Sequence, residues 1–327
     1  MMDGQVELFG RTKGGQEVHR ITLRAGEVTA SILTLGAVVQ DLKLAGVPYG
    51  LTQGSDLVAD YEGDMRHHGA LISPVVNRLT GAQATVNGTL RHFQANQDGR
   101  HTLHSGAVGS HLAVWKLAQI AADAVSLTLD MADGTGGFPG NRQITARFSV
   151  LAPATLRLEI SATTDAPTIF NATNHSYWNL DGTEIWDGHT MQIAADAYLP
   201  TTGDFIPTGE IAAVQGTAFD FRTARVVTTQ HPPLDNNFCL GTAQEPLREV
   251  MWLQGQSGVR MAVATTEPGL QIYDGRNAAR PGHGPYEGIA VETQGWPDAP
   301  NHAQFPPITL LPGAPLIQIT EWRFQTG

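Results

Sequence analysis

The chain has 327 residues, 41% of them hydrophobic, and carries 20 Lys+Arg against 31 Asp+Glu for a formal net charge of −11 at pH 7. Nucleic acids and anionic membranes bind through basic footprints, so this balance disfavours both and leaves neutral small molecules as compatible partners. The single cysteine, Cys239, rules out an intramolecular disulfide, and no apolar run approaches the ~20 residues of a membrane span.

The opening stretch MMDGQVELFGRTKGG lacks a basic segment followed by an apolar one, so no secretory signal is expected and a soluble, cytoplasmic protein is. Further along, apolar residues recur with period two. In AVSLTLDM (124–131), Val125, Leu127, Leu129 and Met131 share one face, with Ser126, Thr128 and Asp130 on the other. The turn cluster ADGTGGFPGN (132–141) follows, and then ATLRLEIS (154–161), where Leu156, Leu158 and Ile160 alternate with Arg157 and Glu159. GVRMAVAT (258–265) groups Val259, Met261 and Val263, RPGHGPYEG (280–288) is a second turn cluster, and LIQITEWRF (316–324) resumes the alternation. This period predicts half-buried strands, and no window carries a helical stripe that beats it. The 36 glycines and 19 prolines are about one residue in six against ~12% on average, which favours short elements joined by turns. No linker, charge block or internal repeat divides the chain. The expected fold is all-β: one large antiparallel domain over residues 1–327, a sandwich or barrel-like assembly.

Reactive side chains gather beside turns or strand ends, where a rigid scaffold can present them. The stretches are VVNRLTG (75–81), HTLHSG (101–106), NATNHSYWNLDG (171–182), LDNNFCL (234–240) and VETQGWPDAPNH (291–302). Each has a bland reading. His175 could be a structural histidine, Arg78 could pair with any carboxylate, and Asp235 could be an ordinary turn residue. Glu292, opposing Val291 on a strand, defaults to the solvated side. His101 and His104 lie three apart and so point to opposite faces of a strand, which argues against a shared metal. His67-His68 has no companion at zinc-site spacing, and Cys239 between Phe238 and Leu240 reads as a small buried residue. Nucleophile-elbow, phosphate-loop and dinucleotide motifs are missing. What remains is His, Glu, Asp and Arg beside aromatic rings. That set suits general acid–base catalysis on a sugar, whose C–H faces lie on rings while its hydroxyls take charged partners.

At these residues the sequence resembles the aldose 1-epimerases, or galactose mutarotases. TNHSYWNL (173–180) is similar to that family's Thr-Asn-His-Ser-Tyr-Phe-Asn-Leu motif, and ETQGWPDAPNHAQFPPITLLPG (292–313) to its C-terminal run. YLPTTGDFIPTGEIAAVQGTAFDFR (198–222) resembles a third block; PGLQIYDGRN, DNNF, NRLTG and LHSG match shorter ones in the expected order, so that nearly the whole chain is covered. The resemblance implies a β-supersandwich that interconverts the α and β anomers of a free aldose such as galactose or glucose. It implies Glu292 as the base at the C1 hydroxyl and His175 as the acid at the ring oxygen. His104 assists there, and Arg78, Asn77, Asp235 and Gln271 hold the other hydroxyls. Two proton transfers on a neutral molecule require neither cofactor nor metal. The partner expected is a monosaccharide, with the protein a monomer or weak homodimer.

The chain departs from the family pattern at Ser73-Pro74, Trp178, Gly295-Trp296 and Arg276, which places Pro74, Trp178 and Trp296 at the expected pocket rim. Arg276 needs a partner: Asp274, another carboxylate or an anionic substrate. The competing readings are an acid-sugar or hexose-phosphate epimerase, a glycoside hydrolase using Asp235 and Glu292, and a non-catalytic sugar-binding module.

Overall fold

The structure is a computed structural model and describes residues 5–327. The absence of a secretory signal was read partly from residues 1–4, which lie outside the described residues. Strict alternation builds the largest sheet. Strand Arg142–Leu151 buries every second residue, from Arg142 through Ile144, Ala146 and Phe148 to Val150. Its antiparallel partner Thr155–Thr164 sets Leu156 opposite Val150, Leu158 opposite Phe148 and Ile160 opposite Ala146. Such cross-strand apolar pairs are the unit of sheet stability. The sheet has nine strands, and the strands expected around 124–131, 154–161, 258–265 and 316–324 all belong to it.

Two smaller sheets pack on this one. Strands Val6–Arg11, Glu17–Ala25, Val28–Leu33 and Val39–Leu44 form a four-stranded sheet against Ala124–Met131, Arg142–Leu151 and Thr155–Thr164. A six-stranded sheet runs in the order Tyr177–Trp178, Ile289–Gln294, Gly269–Tyr273, Asp235–Cys239, Ala197–Tyr198, Ala212–Ala213. Its back meets the nine-stranded sheet where Trp178 lies 5.8 Å from Trp322 and 5.6 Å from Phe324, ring centre to ring centre. One apolar core joins all three sheets through residues such as Ile21, Phe148, Trp178, Val291 and Trp322. Truncating a ring at this junction to alanine costs ~3–5 kcal/mol.

Among the described residues the one α-helix is the single turn Val58–Tyr61, and no helix is long and apolar enough to cross a membrane. Strand Ile289–Gln294 is buried at all six positions. Val291 packs in the core, while the opposite face of the strand is roofed by loops from the first third of the chain. The solvated-side default for Glu292 therefore fails, because this strand has no solvated side.

Candidate active site

The front of the six-stranded sheet is the floor of a cavity. Tyr177, Ala290, Tyr273 and Asp235 stand in one cross-strand row, and Glu292, Gln271 and Asn237 in the next. Period two then fixes the division of labour in the TNHSYW stretch: Tyr177 faces the cavity and Trp178 the core. Six of the seven residues expected at the site (Glu292, His175, His104, Arg78, Asn77 and Asp235) line this one cavity, whose volume is about 270 Å³. Pockets for drug-sized ligands run ~300–1,000 Å³, so this one suits a single sugar ring rather than an oligosaccharide. Gln271 stands behind the lining, donating to Asp235 Oδ1 at 2.6 Å.

His175 is locked by its main chain. Its N–H donates to Ala70 O at 2.8 Å and its carbonyl accepts from Gly69 N at 3.0 Å. Asn174 Nδ2 donates to Gly69 O at 2.7 Å, and Ser176 Oγ donates to Asn174 Oδ1 at 2.6 Å. Gly69 adopts φ +70°, and a Cβ there would sit 2.3 Å from Val39 O, so only glycine permits this approach. On the opposite wall, Asn77 and His104 both hold left-handed backbone, at φ 63° and 51°. They lock each other: His104 N donates to Asn77 O at 3.0 Å, and Asn77 N donates to His104 Nδ1 at 3.2 Å. Left-handed non-glycine residues cost of order 1–3 kcal/mol each and concentrate at functional sites.

The reactive pair is His175 Nε2 and Glu292 Oε1, 3.6 Å apart. His175 Nδ1 and Glu292 Oε2 are buried without a hydrogen-bond partner among the described residues. Burial pushes the Glu292 carboxyl well above the usual carboxylate range; Asp235 adds to the rise and Arg78 opposes it. Burial likewise lowers His175 to about 4. Both shifts favour the uncharged forms, so Glu292 and His175 share one proton between them. His104, held far below its ordinary value by burial and then by His67, is also neutral. Because its Nδ1 accepts from Asn77, its proton lies on Nε2, on the cavity side. Arg78 Nη2 lies 3.3 Å from Asp235 Oδ2, with the guanidinium 5.3 Å from the Phe205 ring centre. Burial raises Asp235, which Arg78 and Gln271 counteract.

Several lining residues escaped sequence reading: His67, His68, Tyr177, Tyr273, Phe205 and Asn277. Tyr177 could have been found by alternation from Trp178, and Phe205, Tyr273 and Asn277 lie within the family-like blocks 198–222 and 268–277; His67 and His68 come from a segment outside those blocks. Two expectations at the rim are corrected. Trp178 is fully buried in the core, and Trp296 packs with Leu199, Ala299 and Phe305 and donates to Pro268 O at 2.9 Å. Pro74 is also buried, its carbonyl accepting from Asn171 N at 2.7 Å. Arg276 is held by Asp274 through two side-chain hydrogen bonds and does not line the cavity. Cys239 is half-buried rather than fully buried, its thiol pushed up to about 12 by burial. A larger groove of about 930 Å³ lies on the outer face of the four-stranded sheet. Two of its cations are matched there, Arg20 by Glu7 and Arg280 by Glu287, and none of the expected site residues reaches it.

Residues 19–321 match the aldose 1-epimerase family. The chain is 34% identical to the galactose mutarotase of Rattus norvegicus over 342 aligned positions, covering 98% of each protein. It is 31% identical to the aldose 1-epimerase of Escherichia coli (strain K12) over 285 positions, covering 81% of this chain and 82% of that one. Among solved structures, an aldose epimerase homologue from C. elegans superposes with a TM-score of 0.87 at 26% identity, covering 94% of this chain and 98% of that one. The galactose 1-epimerase of Lactobacillus acidophilus gives 0.85 at 26% identity, covering 98% of each.

Proposed function

Because the chain belongs to the aldose 1-epimerase family, an isomerase family that interconverts sugar anomers, we propose that Glu292 and His175 carry the two proton transfers, acting on a neutral aldohexose such as galactose. The observation behind this reading is the pair itself: an acid and an imidazole 3.6 Å apart in a buried cavity, each with an unsatisfied polar atom. The C1 hydroxyl and the ring oxygen are bonded to one carbon, so two groups this close can address both at once.

In the ring-opening direction the shared proton first passes from Glu292 to His175; ionised Glu292 then takes the proton from O1 while His175 gives its own to the ring oxygen, and the bond from C1 to that oxygen breaks. The open-chain aldehyde forms, leaving Glu292 protonated and His175 neutral. Rotation about C1–C2 presents the other face. His175 then takes back the proton as the ring oxygen attacks C1, and Glu292 returns one to O1. One proton serves the pair throughout, and each positioned group is typically worth ~10²–10⁴-fold. His104 donates from Nε2 to the ring oxygen or a neighbouring hydroxyl. Asn77, Arg78 and Asp235 hold the remaining hydroxyls, with Gln271 orienting Asp235 from behind.

The rival chemistries find less support. Both Asp235 oxygens are engaged, by Arg78 and Gln271, which leaves a poor glycosidase nucleophile. An anionic sugar would meet Asp64 and Asp235 in the lining, where the one arginine is already paired. The test is polarimetry on freshly dissolved α-galactose. Glu292→Gln and His175→Asn should each lower kcat by ~10²-fold or more while keeping a normal melting transition. A folded variant with near-normal anomer exchange removes that residue from the mechanism.

A further inference from the structure

Two imidazoles on the cavity wall, His67 and His68, take no part in the proton transfers. His68 is buried and stacked on Tyr177 at 4.4 Å, which accounts for it as packing. His67 is different. Its ring lies 4.7 Å from His104, 5.0 Å from His111 and 5.9 Å from His175, centre to centre, nearly parallel to the last at 27°. It is only partly buried, it lines the cavity, and neither of its ring nitrogens has a hydrogen-bond partner among the described residues. Its backbone carbonyl accepts from Ala70 N at 3.1 Å, so the loop holding it is tied to the segment that holds His175.

We propose that His67 hydrogen-bonds the C5 substituent of the sugar, the 6-hydroxyl of an aldohexose, and so sets a preference for hexoses over their 6-deoxy and pentose counterparts. This rests on the reading that places Glu292 at O1 and His175 at the ring oxygen. The ring oxygen has two neighbours, C1 and C5. Glu292 occupies the C1 side, so the flank of His175 turned away from Glu292 faces C5. His67 can reach that side: it lines the cavity with its ring centre 4.7 Å from His104 and 5.9 Å from His175, and it makes no hydrogen bond to Glu292. Burial keeps the His67 ring neutral, and a neutral imidazole offers one donor and one acceptor, the match for a hydroxyl. Asp64, on the same segment, adds an acceptor at the cavity edge and repels a carboxylate or phosphate at C6.

The test compares kcat/KM for D-galactose, for D-fucose, which lacks only the 6-hydroxyl, and for L-arabinose, which lacks C6 altogether. Wild type should favour galactose over D-fucose by roughly 3- to 10-fold, mainly through KM, as one hydrogen bond at a buried site provides. His67→Phe keeps a flat ring against His104 and His175 and should bring the galactose to D-fucose ratio close to one, whatever it does to the overall rate. His67→Gln, which still donates and accepts, should retain most of the preference. If the Phe variant does not fold, His67→Leu is read in its place. The assignment is overturned if wild type treats galactose and D-fucose alike, if His67→Phe slows all three sugars by one factor, or if the Gln variant loses the preference as fully as Phe. Glu292→Gln run in parallel separates the two readings. Full activity there removes the acid–base assignment and the sugar's orientation with it, whereas an unchanged His67→Phe ratio removes only the role of His67.

Discussion

Arg78 and Asp235 act on Glu292 with opposite sign, Asp235 raising its pKa and Arg78 lowering it. The active pair holds one proton, so turnover falls on the alkaline side as Glu292 gives that proton up. Asp235→Asn removes a repelling charge and should move the alkaline limb of kcat/KM to lower pH; Arg78→Ala removes an attracting one and should move it higher. Both should also lower kcat/KM by about 10- to 100-fold, since charge-assisted hydrogen bonds are worth ~1.5–3 kcal/mol. Limbs that shift the same way, measured in full pH profiles, would break the electrostatic account. Arg276, by contrast, is occupied by Asp274, so Arg276→Gln should leave the choice between galactose and galacturonate unchanged. At this scale the sequence was informative wherever a motif carried the residue, as for His175, Glu292 and Asp235. It misled where a local rule stood in for three-dimensional context. Alternation put Glu292 in solvent because nothing in VETQGW says that loops close over the strand. Trp178 and Trp296 read as rim residues until the sheet register turned the first, and the loop after strand Ile289–Gln294 the second, toward apolar clusters.

The C-terminal PDAPNH run is more than a family marker, because it fastens one strand of the site to another. Asp298, 2% exposed and at φ 57°, accepts from Thr80 N at 2.9 Å, from Thr80 Oγ1 and from Asn301 Nδ2 at 2.6 Å, with His302 Nε2 3.3 Å away. Thr80 follows strand Arg78–Leu79 directly, and Asp298 follows strand Ile289–Gln294 by four residues. The carboxylate thus sets the position of Arg78 relative to Glu292. Asp298→Ala strands several buried donors and should cost ~2–4 kcal/mol of stability, with KM rising more than kcat falls. Asp298→Asn, which keeps one acceptor, should recover part of both in melting curves and steady-state kinetics. An Ala variant with normal KM would make Asp298 a fold element alone. Long strands such as Thr155–Thr164 were legible because a sustained alternation outvotes local noise. Two-residue strands such as Arg78–Leu79 and Thr173–Asn174 were not, being too short to show a period, yet Arg78 stands on the first and His175 directly follows the second.

Across the whole molecule, the buried site makes stability depend on pH from both sides. Burial lowers six imidazoles: His68 and His111 to about 3, His175 to about 4, His67 and His104 well below their ordinary value, and His189, where Asp181 opposes the shift. Above the unfolded value of 6.5 these rings are neutral in both states and contribute no slope. Below it, the unfolded chain takes up protons that the native protein refuses, so stability falls with pH by up to ~1.4 kcal/mol per unit for each ring. Glu292 and Glu267 work the other way. Glu267, buried and accepting from Gln244 Nε2 at 2.6 Å, is raised to about 7 by burial. A carboxyl raised above its unfolded value of 4.5 contributes fully in acid, and that contribution is lost as pH rises through the folded value. For Glu267 the loss totals about 3 kcal/mol and runs from about pH 4.5 to 7. With six imidazoles against four raised carboxyls, Asp41 and Asp235 beside Glu267 and Glu292, the acid limb is the steeper, and the maximum should fall at about pH 6–7, where the histidine contribution has levelled off. Urea unfolding from pH 4 to 9 measures this directly. Glu267→Gln should steepen the acid limb between about pH 4.5 and 6.5, where the carboxyl opposes the histidines, and remove the small fall just above it. His111→Phe should lower the acid slope by up to ~1.4 kcal/mol per pH unit, whatever it does to the absolute stability. A wild-type protein whose stability stays level from pH 6.5 down to 4 would mean that the native imidazoles take up protons as readily as free ones. The neutral cavity on which the shared-proton mechanism depends would then be lost with them.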